Sequence, residues 1–208
     1  MKIDSDRSVL IIDLLATAFL GIEGGMAAVD AHLDLFGVMV LSFATALGGG
    51  VIRDLLIGDI PPAAIRSERY AISAFAGGLL AFSLYRTIEH VPPLFMTIVD
   101  AAGLGLFAVA GAIKALDHRI GPFMAVLMGT ITGVGGGTTR DIFLAKVPAV
   151  LRVEVYAVAA MAGAAVLVVG VRYGRPRALM MFAGFFVCFL LRFIAVWQHW
   201  NLPRPAGP

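Results

Sequence analysis

The chain is short of charge, cysteine and tryptophan. Only 14% of its 208 residues are Asp, Glu, Lys or Arg, against about a quarter in an average soluble domain. Sixty per cent are apolar and the mean hydropathy is +0.91, so an ordinary water-soluble globule is excluded. One cysteine, Cys188, excludes an intrachain disulfide and leaves the redox compartment open. A net charge of +2, with arginines scattered between apolar runs, excludes a basic face for nucleic acid. His32, His90, His118 and His199 are too far apart to read as a metal cluster. There is no Walker A loop and no nucleophile elbow. Gly103-Leu104-Gly105-Leu106-Phe107-Ala108 matches the dinucleotide pattern by letter, but it lies inside an apolar run with no strand before it. No enzymatic activity, metal or cofactor is therefore expected.

Long apolar runs and 24 glycines are present instead. A helix that crosses a bilayer needs about 20 mostly apolar residues. Such runs fall at 9–28, 34–57, 70–87, 94–115, 121–145, 154–172 and 178–200, followed by a proline-rich tail at 201–208. The expected fold class is an all-α membrane protein with seven transmembrane helices in a single membrane domain. Residues 9–28 do not read as a cleaved signal peptide, because Asp13 and Glu23 interrupt the run and Asp4 and Asp6 precede it. The bias of Lys and Arg among the ends of the runs favours an amino terminus inside. Arg53, Arg140 and Arg192 are placed within the bilayer and do not enter that count.

A shift of 87 positions aligns the chain with itself without a gap. Asp13 falls on Asp100, Gly24 on Gly111, Thr45 on Thr132 and Pro61 on Pro148. Gly48-Gly49-Gly50 falls on Gly135-Gly136-Gly137, and Arg53-Asp54 on Arg140-Asp141. The halves, 9–88 and 94–174, hold three runs each, so the second enters the bilayer from the opposite side. The expectation is two inverted three-helix repeats plus one extra helix at 178–200.

The glycine triplets carry the functional reading. Each internal glycine costs a helix about 1 kcal/mol relative to alanine, and three together are expected to kink or unwind it. Freed carbonyls are tolerated in a bilayer only where they are buried in protein or line a wet cavity. Two such breaks in inverted halves point to a solute site near the midplane. The alternative is that the glycines permit close helix crossing. The Arg-Asp pair after each triplet favours the first reading, because a central charge costs at least about 2.5 kcal/mol. Asp54 and Asp141 attract cations or serve as structural partners of Arg53 and Arg140. Thr45, Thr132, Thr138 and Thr139 line a wet path or bond back to their own helices. Asp13 and Asp100 are read as vestibule residues or solvated anchors. Lys114, whose counterpart is Ala27, reads as a snorkelling residue and Arg192 as a partner at a helix interface. Glu23, with Ala110 in its matching place, receives no role.

Seven runs, two inverted repeats and paired Gly-Gly-Gly-x-x-Arg-Asp motifs resemble the prokaryotic trimeric intracellular cation channels. The resemblance implies a passive channel for monovalent cations, potassium above sodium, in a prokaryotic inner membrane. It also implies a homotrimer with an ion path inside each protomer. By motif, Gly48 to Gly50, Asp54, Gly135 to Gly137 and Asp141 would border the path, and Arg53 and Arg140 would support it. Animal members carry Lys-Glu-Val at the end of the fourth span. Here Lys114 is followed by Ala115-Leu116, so only the lysine matches. Bacterial proteins with the same repeat are also labelled glycine transporters, which makes a small-amino-acid carrier the alternative.

Overall fold

A computed structural model describes residues 2–87, 92–152, 155–198 and 200. Residue 88 of the first half, residues 89–91 after it, the first residue of the sixth run, residue 199 of the seventh and the tail 201–208 lie outside them. Among the described residues there are nine helices and no strand. They are α1 (Lys2–Asp30), α2 (Leu35–Ile57), α3 (Ala63–Arg66), α4 (Glu68–Thr87), α5 (Pro93–Asp117), α6 (Pro122–Phe143), α7 (Ala149–Arg152), α8 (Tyr156–Arg172) and α9 (Arg177–Trp197). Seven are long and match the apolar runs to within a few residues, apart from the earlier start of α1. The four-residue helices α3 and α7 were hidden in what reads as loop, each directly after a proline.

Local chemistry sets the ends. The Asp34 carboxylate accepts the Gly37 N–H at 2.7 Å and opens α2. Gly58 closes it with a left-handed φ of 76°. Proline stands in the first turn of α5 and of α6, where its missing N–H is not needed.

Four helical stretches are long and apolar enough to cross a membrane on their own: Leu10–Asp30, Leu35–Ile57, Leu94–Asp117 and Arg177–Trp197. Helix α8 is apolar but has 17 residues, and α6 is diluted by its glycines, threonines and Arg-Asp pair. Large apolar side chains cover the outside. Phe36 is 77% exposed and Phe123, its counterpart at a distance of 87 residues, is 74% exposed. Water gives such a surface no support, whereas lipid solvates it. The interior is rich in alanine and glycine, as is usual where helices pack within lipid.

Helices α1, α2 and α4 pack against one another, and so do α5, α6 and α8. The two groups meet where α2 crosses α6 and α1 lies along α5, while α9 rests on α5 and α8.

The glycine triplets correct the reading of broken helices. Both α2 and α6 are helical through their triplets, so their carbonyls stay in helical hydrogen bonds and are not freed. The triplets are where the two backbones touch. A Cβ on Gly49 would run into the Thr132 carbonyl, and a Cβ on Gly136 would come within 2.5 Å of the Thr45 carbonyl. These are the same contact seen from each half. Close crossing, the alternative reading, accounts for Gly49, Gly135 and Gly136.

Candidate functional site: two buried ion-pair clusters

The first cluster lies at the carboxyl end of α2. Arg53 is 2% exposed. Its Nε donates to Asp54 Oδ1 at 2.8 Å and its Nη1 to Asp13 Oδ1 of α1 at 3.3 Å. Tyr70 of α4 donates its hydroxyl to Asp13 Oδ2 at 3.4 Å. The second Asp54 oxygen accepts the Ala63 N–H at 2.8 Å and so anchors the start of α3. Lys114 reaches across from α5 to Asp54 Oδ1 at 2.6 Å and to Asp59 Oδ2 at 2.8 Å. Arg66 also bonds Asp59. Burial raises the Asp59 carboxyl, but the hydrogen bonds and charges of Lys114 and Arg66 outweigh it and hold this group at about 2. The contribution of this ion pair to stability is therefore fully present above about pH 4, the unfolded value, and is lost only as pH falls towards 2.

The second cluster lies at the carboxyl end of α6. Arg140 Nε donates to Asp141 Oδ1 at 2.9 Å, and Asp141 Oδ2 accepts the Ala149 N–H at 2.7 Å, which anchors α7. Tyr156 of α8 donates its hydroxyl to Asp100 Oδ1 at 3.0 Å. These contacts repeat those of Arg53, Asp54, Ala63, Tyr70 and Asp13. The partners of the cations do not repeat. Arg53 pairs with Asp13 of its own half, but Arg140 pairs with Glu23 of α1. Asp100 is taken instead by Arg192 of α9, at 2.9 Å from Nε. The Arg192 guanidinium also lies 4.7 Å from the centre of the Tyr156 ring.

The surroundings of the clusters differ. A cavity of about 400 Å³ opens beside the second and is lined by Ala27, Asp30, Arg140, Asp141, Lys146 and Arg152 among others. The space within the first cluster is about 10 Å³. At the first end Lys114 bonds Asp54 and Asp59, while its counterpart, Ala27, lines the cavity at the second. Between the clusters the threonine hydroxyls turn back on their own helices. Thr45 donates to Leu41 at 2.7 Å, Thr132 to Met128 at 2.5 Å, Thr138 to Val134 at 2.8 Å and Thr139 to Gly135 at 2.8 Å.

The sequence pattern of the family described as "Glycine transporter" matches residues 10–86 and again residues 97–172. The chain belongs to this family. Its relatives include the UPF0126 inner membrane protein YadS of Escherichia coli, 35% identical over 92% of this chain and 93% of that protein. A UPF0126 membrane protein of Streptomyces coelicolor is 48% identical over 95% of this chain and 90% of its own. Among solved structures, a chain from a study of conductance through TRIC cation channels superposes with a TM-score of 0.87. It is 36% identical, over 95% of this chain and 97% of that one. A TRIC orthologue from Rhodobacter sphaeroides gives 0.85 at 34% identity, over 92% and 98%. This UPF0126 family member is an integral membrane protein with the TRIC channel fold.

The chain brings the charged residues among the expected site residues into these clusters, and leaves the glycines and threonines at the helix crossing between them. Asp13, Arg53, Asp54 and Lys114 meet in one, and Asp100, Arg140 and Asp141 in the other. Asp13, 3% exposed, is not a solvated anchor. Lys114 is held by two carboxylates and does more than snorkel. Sequence reasoning missed Tyr70, Tyr156 and Asp59, and it passed over Glu23 because its repeat partner is Ala110. A lone glutamate within an apolar helix carries its own signal, since it requires a buried partner.

Proposed function

We propose that the chain is a passive, cation-selective channel with potassium as the preferred ion, assembled as a homotrimer in a prokaryotic inner membrane. The observation that carries this reading is the TM-score of 0.87 with a TRIC cation channel at 36% identity. All seven long helices then cross the bilayer as two inverted three-helix repeats, 9–88 and 94–174, plus α9, with the amino terminus inside. The reciprocal contact of Gly49 with Thr132 and of Gly136 with Thr45 supports a pseudo-two-fold relation between the halves.

The ion path in this reading runs inside each protomer, from the cavity at Asp141 along the α2–α6 crossing to Asp54. Gly48 to Gly50, Gly135 to Gly137, Thr45, Thr132 and Thr138 border it. With the helices intact, carbonyls do not strip the ion. Selection falls to the field of the carboxylates in a low-dielectric wall, and potassium over sodium is modest. Arg53 and Arg140 hold the carboxylates in place and keep the net charge low, which favours release over storage. Purified protein in a planar bilayer under a potassium chloride gradient is expected to show single-channel steps that reverse near the potassium potential. Reversal near the chloride potential, or silence together with saturable glycine counterflow, would defeat this reading in favour of a carrier.

Lys114 acts as the latch of the narrow end. It joins α5 to Asp54 and Asp59 at 2.6 and 2.8 Å, so opening must break both pairs. Lys114→Ala is expected to raise potassium flux into liposomes several-fold, and Ala27→Lys to lower it. An unchanged flux in Lys114→Ala would show that the narrow end is not the barrier.

A further inference from the structure

The two clusters differ in charge. Around α2, Asp13, Asp54 and Asp59 meet Arg53, Arg66 and Lys114, three groups of each sign. Around α6, three carboxyls, Glu23, Asp100 and Asp141, meet two cations, Arg140 and Arg192. Asp30, Lys146 and Arg152 line the adjoining cavity, so the ion pairs alone leave one carboxyl charge to be met by them or by a proton.

The hydrogen bonds locate where that charge is met. Both Asp141 oxygens are occupied, by Arg140 and by the Ala149 N–H. Both Asp100 oxygens are occupied, by the Tyr156 hydroxyl and by Arg192. Glu23 Oε1 accepts from Arg140, but Oε2 has no partner, although the residue is only 2% exposed. The Asp100 carboxyl faces this glutamate. Two carboxyls set together, one with an empty oxygen, form a natural place for a shared proton.

We propose that Glu23 is a proton-binding site, in which one proton on Oε2 is directed to Asp100 while Oε1 continues to accept from Arg140. The proton removes the charge that the ion pairs leave unmet and gives the empty oxygen a donor role. The charged and titratable groups around it are Asp100 of α5 and Arg140 with Asp141 of α6, then Tyr156 of α8 and Arg192 of α9, and, across the cavity, Asp30, Lys146 and Arg152. Helices α2 and α4 present Ser42, Thr45 and Ala81 to the adjoining glycines of α1. Water comes close, because Ala27, one helical turn from Glu23, lines the 400 Å³ cavity together with Arg140. Loss of the proton leaves a negative charge beneath that cavity. If the channel reading holds, cation flux rises with pH, and the Asp59 ion pair cannot be the cause because it titrates far lower.

The test is isotope-edited infrared spectroscopy of the full chain in liposomes. The sequence has four glutamates, Glu23, Glu68, Glu89 and Glu154, so ¹³C-glutamate labelling shifts few carboxyl bands. A labelled, protonated carboxyl stretch is expected at neutral pH, fading as pH rises, absent from Glu23→Gln and retained in Glu68→Gln. The substituted glutamine would keep both bonds, its carbonyl accepting from Arg140 and its amide donating to Asp100. Should Glu23→Gln not fold, Glu23→Asp removes the label from the same position. No labelled protonated carboxyl in the wild type, or one that survives in Glu23→Gln, overturns the proposal. This measurement needs no ion flux and is independent of the channel reading. In parallel, potassium flux is expected to rise with pH in the wild type and to stay flat in Glu23→Gln. A flat wild-type profile alongside the infrared band overturns the link between proton and flux.

Discussion

Gly49→Ala is expected to unfold the α2–α6 crossing, while Gly50→Ala, one residue later in the same triplet, is tolerated. The difference lies in what a methyl group would meet. At Gly49 it runs into the Thr132 carbonyl, and behind that lies the backbone of Gly136. Neither can rotate away, so the helices must separate. Overpacking of this kind costs about 1–3 kcal/mol, more when backbone has to move. At Gly50 the nearest atom is an Arg53 nitrogen at 3.8 Å, which leaves room, and alanine then returns up to about 1 kcal/mol of helix propensity. The propensity gain applies at both positions, so the two substitutions should differ by the overpacking cost, about 1–3 kcal/mol, with Gly49→Ala the less stable. Thermal unfolding in mild detergent, followed by size-exclusion chromatography, reads this directly. Gly136→Ala should behave like Gly49→Ala, because its methyl meets the Thr45 carbonyl at 2.5 Å. Equal midpoints for Gly49→Ala and Gly50→Ala would mean that the helices do not cross here.

Arg53→Ala should be the most damaging charge removal in the protein. Arg53 is 2% exposed and serves both Asp13 and Asp54, so its loss leaves two carboxylates buried with too little compensation. Breaking a buried pair in this way costs about 3–5 kcal/mol. Asp13→Asn in the same chain should recover part of that loss, because it removes one of the orphaned charges. Arg66→Ala is the contrast. Its side chain is 45% exposed where it meets Asp59, and a solvated pair is worth about 1 kcal/mol or less. A thermal midpoint for Arg53→Ala within a degree or two of that for Arg66→Ala would show that the Arg53 cluster is not what holds α1 to α2. A double-mutant cycle on Asp13 and Arg53 would measure their coupling separately from the cost to Asp54, which keeps Lys114 and the Ala63 N–H.

The helices and the matching of the halves were legible in the sequence for a local reason. Lipid leaves backbone polar groups no partner but their own helix, so apolar runs of spanning length announce themselves. The match of Asp13 with Asp100 and of Arg53-Asp54 with Arg140-Asp141 is likewise a property of the string, and the contacts of Ala63 with Asp54 and of Ala149 with Asp141 follow it. The glycine triplets were visible but open to two readings, since a glycine that breaks a helix and one that lets a neighbour close in look alike along the chain. Which applies depends on whether another backbone stands within reach, and for Gly49 that backbone belongs to a residue in the other half. The cation partners are long-range in the same sense. Arg140 pairs with Glu23, 117 positions away, and Asp100 with Arg192, 92 positions away. Symmetry would have given Arg140 to Asp100. The tertiary structure decided otherwise because α9, which has no counterpart in the first half, brings a second guanidinium to Asp100 and leaves Arg140 to Glu23, a carboxylate on α1 that the repeat does not predict.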